Sequence, residues 1–126
     1  MEFTLRTAGQ ILFGRGTARR AAELTVPLGR RVFLVTGGKS LERGGHLLRL
    51  QAELEARSAS WTRFVMTQEP DVERIDTAVA RCREACCDVV LAIGGGSVLD
   101  TGKAVAALAK NPGSVLEYLE DAGRGA

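Results

Sequence analysis

An unbroken aliphatic run from Val89 to Ile93 ends in Gly94, Gly95, Gly96 and Ser97, and an alanine-rich helical pattern carrying Val98, Leu99, Ala104 and Val105 begins at once. The order predicts a strand covered on both faces, a turn the size of a phosphate, and a helix. Such a turn can hold an anion. Residues without side chains let the main chain come within hydrogen-bonding distance, and the first N–H groups of the new helix point at the ligand. Three successive glycines also cost backbone entropy that a plain turn does not require. A blander account covers part of the pattern: Ser97 caps the helix and Asp100, three residues on, closes an acidic capping box.

The rest of the chain supplies a sheet to carry this turn. Phe3 to Leu5 and Ile11 to Gly16 read as two short extended stretches in a hairpin-like or edge arrangement, with Ile11 to Phe13 at the exposed edge. A short helix from Thr17, with Ala18, Ala21 and Ala22 on one face, ends near Pro27 and Gly29. Arg31 to Thr36 is a second covered strand, followed by a turn at Gly37, Gly38, Lys39 and Ser40. A long helix then runs to about Ser58 with Leu41, Leu47, Leu48, Leu50 and Leu54 at helical spacing, its first turns weakened by Gly44 and Gly45. Trp61 to Met66 is a strand and Gln68 to Asp71 a loop. From Asp71 or Val72 to about Cys86 runs an amphipathic helix with Val72, Ile75, Ala78, Val79, Cys82 and Cys86 on one side. After a turn at Asn111 to Gly113, Ser114 and Glu117 form a capping box that opens a short helix to Leu119. Alternating strands and helices make this an α/β chain, a Rossmann-like parallel sheet with flanking helices. Both glycine turns fall at the carboxyl edge of the strands, where ligands bind in such sheets.

Composition narrows the partners. The 126 residues form one domain, 1–126, and a balance of 17 basic against 15 acidic residues is too even to argue for nucleic acid. No apolar run approaches the ~20 residues of a membrane span, and the amino terminus lacks the zones of a secretory signal, so the expected compartment is the cytoplasm. Cys82, Cys86 and Cys87 crowd into one helical segment, which reads as small buried filler rather than a disulfide framework.

Common nucleotide signatures fail on spacing. A P-loop ending at Gly38, Lys39 and Ser40 needs glycine at position 33, where Phe33 stands, and one ending at Gly102 and Lys103 needs glycine where Ser97 stands. The dinucleotide fingerprint fails at Gly14, where Arg19 takes the third glycine's place, and at Gly94, where Leu99 does.

What remains, Gly94 to Ala104, resembles the glycine-rich motif of the iron-containing alcohol dehydrogenases, in the superfamily that includes glycerol dehydrogenase, maleylacetate reductase and dehydroquinate synthase. Ile11 to Gly16 is similar to that family's opening Phe-Gly-x-Gly strand, and Glu69-Pro70 to its loop after the third strand. Ser97 and Lys103 favour the alcohol dehydrogenase branch. The resemblance implies an amino-terminal dinucleotide-binding domain that holds the pyrophosphate of NAD or NADP on Gly95, Gly96 and Ser97, with Asp100 towards the nicotinamide. It implies hydride transfer between nicotinamide and an alcohol or aldehyde in the complete enzyme. There a Fe2+ or Zn2+ ion is held by an aspartate and histidines of a carboxyl-terminal helical domain that this chain stops short of. His46, the one histidine, cannot replace those ligands, so the chain alone is expected to be inactive. The resemblance further implies that the strand at Ile11 to Phe13 pairs between subunits in a homodimer.

At the second turn, Gly37, Gly38, Lys39 and Ser40 offer no acid for a ribose diol, which leans towards NADP(H), and Glu69 is placed on the adenosine side. Two other readings stay open: a stand-alone nucleotide- or anion-binding module without catalysis, and a lyase or synthase on the same scaffold.

Overall fold

Two strands buried along almost their whole length organise the molecule: β3 (Arg31–Thr36), in which only Arg31 is exposed, and β5 (Val89–Gly94), buried throughout. Continuous burial requires cover on both faces. The computed structural model describes residues 3–6, 11–15, 21–38, 42, 45–67, 69–109 and 115–119. The remaining elements are β1 (Phe3–Arg6), β2 (Ile11–Arg15), α1 (Ala21–Thr25), α2 (His46–Ala56), β4 (Ser60–Val65), α3 (Val72–Glu84), α4 (Gly96–Leu108) and β6 (Val115–Leu119).

The six strands form one sheet in the order β1-β2-β6-β5-β3-β4, parallel except for the antiparallel β1–β2 pair. The expected parallel sheet with flanking helices is thus present. One face packs Phe33, Val35, Val90 and Ala92 against α3 and α4 through Ala78, Val79, Cys82, Leu99 and Val105. The other packs Val32, Leu34, Val89, Leu91 and Ile93 against α1 and α2 through Ala21, Ala22, Leu47, Leu50 and Leu54. Alternate residues of each strand therefore serve opposite cores, as the two-residue period of a strand demands.

Several expectations are corrected. Val115–Leu119 is not a helix but strand β6, with Val115 opposite both Ile11 and Val90 and Leu119 opposite both Arg15 and Gly94. Its valine, tyrosine and leucines suit a strand, and pairing on both sides outweighs a local capping signal. Ile11 to Phe13 consequently lies inside the sheet between β1 and β6, and β1 forms that edge. The second helix begins only at His46, after Gly45 in a left-handed conformation (φ 78), and Leu48 is 72% exposed. On α3, Val72 is 78% exposed because it sits in the first turn, beyond the part of the helix that meets the sheet. Cys86 is exposed with a positive φ of 55, past the end of the helix, while Cys82 and Cys87 are buried. Ala18, Leu41, Lys39 and Ser40 lie outside the described residues.

Candidate functional site

β3 and β5 are parallel neighbours, with Thr36 opposite Ile93, but the chain leaves them in opposite directions. From β3 it passes through α2 to β4 on one side; from β5 it passes through α4 to β6 on the other. This reversal opens a crevice beyond the strands' carboxyl ends, the place where open α/β sheets bind ligands. Both glycine turns meet there.

The turn after β5 is built from glycines with different reasons for being glycine. A Cβ on Gly94 would lie 2.8 Å from Cγ2 of Val98, so the tight entry into α4 excludes any side chain. Gly95 and Gly96 face nothing within 4 Å, and the protein itself has room for side chains there. Gly95 is the N-cap residue of α4, extended at φ −85 and ψ −163, with no side-chain hydrogen bond completing the cap. Helix geometry leaves the N–H groups of Gly96, Ser97 and Val98 without acceptors inside the helix, and the first backbone bond of the turn runs from Leu99 N–H to the Gly95 carbonyl at 3.0 Å.

The capping account of Ser97 and Asp100 is therefore corrected. The helix starts before Ser97, which lies within its first turn, and the Ser97 carbonyl accepts a 2.8 Å bond from the buried Thr101 hydroxyl. Neither residue caps α4.

Gly95, Gly96, Ser97 and Val98 line a cavity of about 430 Å³ together with Met66, Thr67 and Glu69 from beyond β4. The second turn closes against the same residues: a Cβ on Gly37 would stand 3.7 Å from Cγ2 of Val98, and one on Gly38 would stand 3.4 Å from Cγ2 of Thr67. The fold thus brings together Gly37, Gly38, Glu69, Gly94, Gly95, Gly96 and Ser97 from three loops. Asp100 is not among them; it is exposed and lines an adjoining, largely apolar groove with Pro70, Asp71, Ile75, Ala104 and Leu108. Lys39 and Ser40 lie outside the described residues.

Two residues that the sequence did not single out border the second turn. Arg63 on β4 donates from Nε to the Thr36 hydroxyl at 3.0 Å and from Nη2 to a Glu42 carboxylate oxygen at 2.8 Å. Thr36 is fully buried and is the last residue of β3, so this ion pair is anchored where the turn begins. The nearest sequence signal was an acid in the segment after β3, two positions beyond the four-residue turn.

An anion fits this crevice: it offers bare main chain, open volume and the positive end of a 13-residue helix. No group of three or more His, Cys, Asp or Glu side chains that could hold a metal is assembled among the described residues, and His46 stands exposed on α2. No helix among them is long and apolar enough to cross a membrane.

The sequence is 38% identical over 118 residues to the probable NADH-dependent butanol dehydrogenase 1 of Bacillus subtilis, covering 93% of this chain and 30% of that protein. It is 34% identical over 113 residues to the NADPH-dependent aldehyde reductase of Escherichia coli, covering 90% of this chain and 29% of that one. The structure of NADH-dependent butanol dehydrogenase A from Thermotoga maritima superposes with a TM-score of 0.67 at 28% identity, over 89% of this chain and 29% of that chain. The chain accordingly spans about 30% of the length of these relatives. The profile of the iron-containing alcohol dehydrogenases matches residues 8–126, and the chain belongs to that family.

Proposed function

We propose that this chain is the cofactor-binding part of an NAD(P)-dependent alcohol dehydrogenase and that the crevice between β3 and β5 holds the dinucleotide. The diphosphate sits on the N–H groups of Gly95, Gly96 and Ser97, where bare backbone and the helix terminus favour negative charge. The observation that carries this reading is that Gly95 and Gly96 open onto free cavity, so protein packing does not account for their lack of side chains. The adenosine ribose lies beyond Gly37 and Gly38, and Glu69, which lines the cavity from beyond β4, is assigned to the adenosine side. Asp100 flanks the site from its own groove, and a place for it beside the nicotinamide rests on the family resemblance.

Bound nicotinamide supplies the hydride acceptor or donor for an alcohol or aldehyde, while these residues contribute position and charge. Relatives include proteins named NADH-dependent and one named NADPH-dependent. The absence of an acid at Gly37 and Gly38 favours NADP(H). A homodimer formed through β1, the outer strand, completes the proposal.

Calorimetric titration of the chain with NADP+ and NAD+ tests the central reading. Saturable binding of at least one is expected, and no heat with either overturns it. Oxidation of reduced nicotinamide by a panel of aldehydes, followed by absorbance in the full-length protein, tests the redox assignment.

A further inference from the structure

The Arg63–Glu42 pair stands at the rim of the core, where Arg63 also satisfies the buried Thr36 hydroxyl. Arg63 reaches along the sheet from its register position opposite Leu34 to the end of β3, and its side chain remains 22% exposed and that of Glu42 46% exposed. Thr36 and Glu42 use two of the guanidinium's five N–H donors. The opposed charges stand where β3 gives way to the glycine turn, and the end of this strand is where a dinucleotide's adenosine ribose is read in open α/β sheets.

We propose that Arg63 and Glu42 set the preference between NADP and NAD, an inference that rests on the dinucleotide reading above. The Arg63 guanidinium, held by the Thr36 hydroxyl, is the counter-charge for a 2′-phosphate, which a planar fork of donors suits better than a point charge. Glu42 opposes it. Its carboxylate occupies part of the fork and repels the phosphate, while it accepts from the free diol of NAD. Beside a turn that itself favours NADP(H), Glu42 offsets part of the Arg63 charge and keeps NAD admissible. Removing one charge tips the choice one way, and removing the other tips it the opposite way.

Calorimetry with NADP+ and NAD+ on the chain and its variants tests this. Glu42→Gln keeps the shape, frees the guanidinium and is expected to raise the ratio of NADP+ to NAD+ affinity about tenfold. Arg63→Gln leaves Glu42 unopposed and is expected to lower the ratio by about tenfold or more, with Arg63→Lys recovering part of the loss. If the unaltered chain binds both cofactors and Glu42→Gln leaves the ratio unchanged, the pair does not read the ribose and the inference fails alone. If Arg63→Gln weakens both cofactors equally, Arg63 only tethers the loop, which also overturns it. If neither cofactor binds the unaltered chain, the dinucleotide reading fails and this inference with it. Should Arg63→Gln not fold, the Glu42→Gln ratio decides by itself.

Discussion

Gly102 on α4 rests directly on Ala92 of β5: a Cβ added to Gly102 would stand 2.7 Å from the Cβ of Ala92. That contact lies nearly two turns into the helix, so it fixes the distance between helix and sheet and with it the position of the glycine turn. Gly102→Ala should force α4 outward and cost about 1–3 kcal/mol, the usual scale of overpacking in a closed core. Urea denaturation followed by circular dichroism measures it; a stability within a few tenths of a kcal/mol of the parent would show that the helix moves freely on the strand.

The glycines of the turn should separate fold from function. Gly94→Ala places a Cβ 2.8 Å from Val98 on a backbone with φ +157, and a loss of about 1–3 kcal/mol is expected. Gly95→Ala meets no atom and sits on an extended backbone that any residue adopts, so stability should hold to within about 0.5 kcal/mol. Its methyl group would intrude on the diphosphate, and NADP+ affinity should fall about tenfold or more. Parallel melting and calorimetric curves for the two variants give the answer. Unimpaired binding by Gly95→Ala would remove the cradle.

How far the sequence foretold this depends on what holds each residue in place. Arg31–Thr36 and Val89–Gly94 were legible because burial on both faces leaves an aliphatic run that little else explains. The glycine turn was legible because three glycines and a helix-forming pattern meet in a few residues. Val115–Leu119 was not, since its partners Ile11–Arg15 and Val89–Gly94 are far away in the chain and only the sheet decides between strand and helix. The Arg63–Glu42 pair lay equally out of reach, being 21 residues apart with no periodicity to link them. Asp100 shows the converse limit: spacing set it beside the turn, yet helix rotation turns it into another groove.

Asp71 caps α3, its side chain accepting the Arg74 N–H at 2.7 Å from an extended backbone. Asp71→Ala removes that acceptor and should cost about 1 kcal/mol, while Asp71→Asn, which keeps an oxygen in place, should lose only a few tenths. Thermal unfolding of both variants checks the size of the effect, and faster exchange of the Arg74 amide hydrogen checks its location. Equal stability of Asp71→Ala and the parent would show that the bond contributes nothing in solution.

The buried thiols predict a pH dependence of stability. The hydrogen bond to Cys87, together with burial, pushes the Cys82 thiol well above its ordinary value of 9.0. Cys87, whose sulfur accepts from Cys82 and from Thr62, moves the other way. A group raised on folding stabilises fully below its unfolded value and loses that contribution as pH climbs past it; a lowered group has gained all of its contribution by then. Of the two thiols, therefore, Cys82 adds a slope above about pH 9 and Cys87 does not, because the unfolded chain ionises there while Cys82 in the folded one does not. The slope should approach 1.4 kcal/mol lost per pH unit, about one proton's worth. Lysine and tyrosine titrate in the same range and the two thiols are linked, so the measurement is a difference in a Cys87→Ala background: urea midpoints between pH 8.5 and 10.5 with Cys82 kept and with Cys82→Ala. The variant should start lower and fall less steeply. Parallel curves would mean that Cys82 ionises as readily in the folded protein as in the unfolded chain, which its place between α3 and the sheet does not allow.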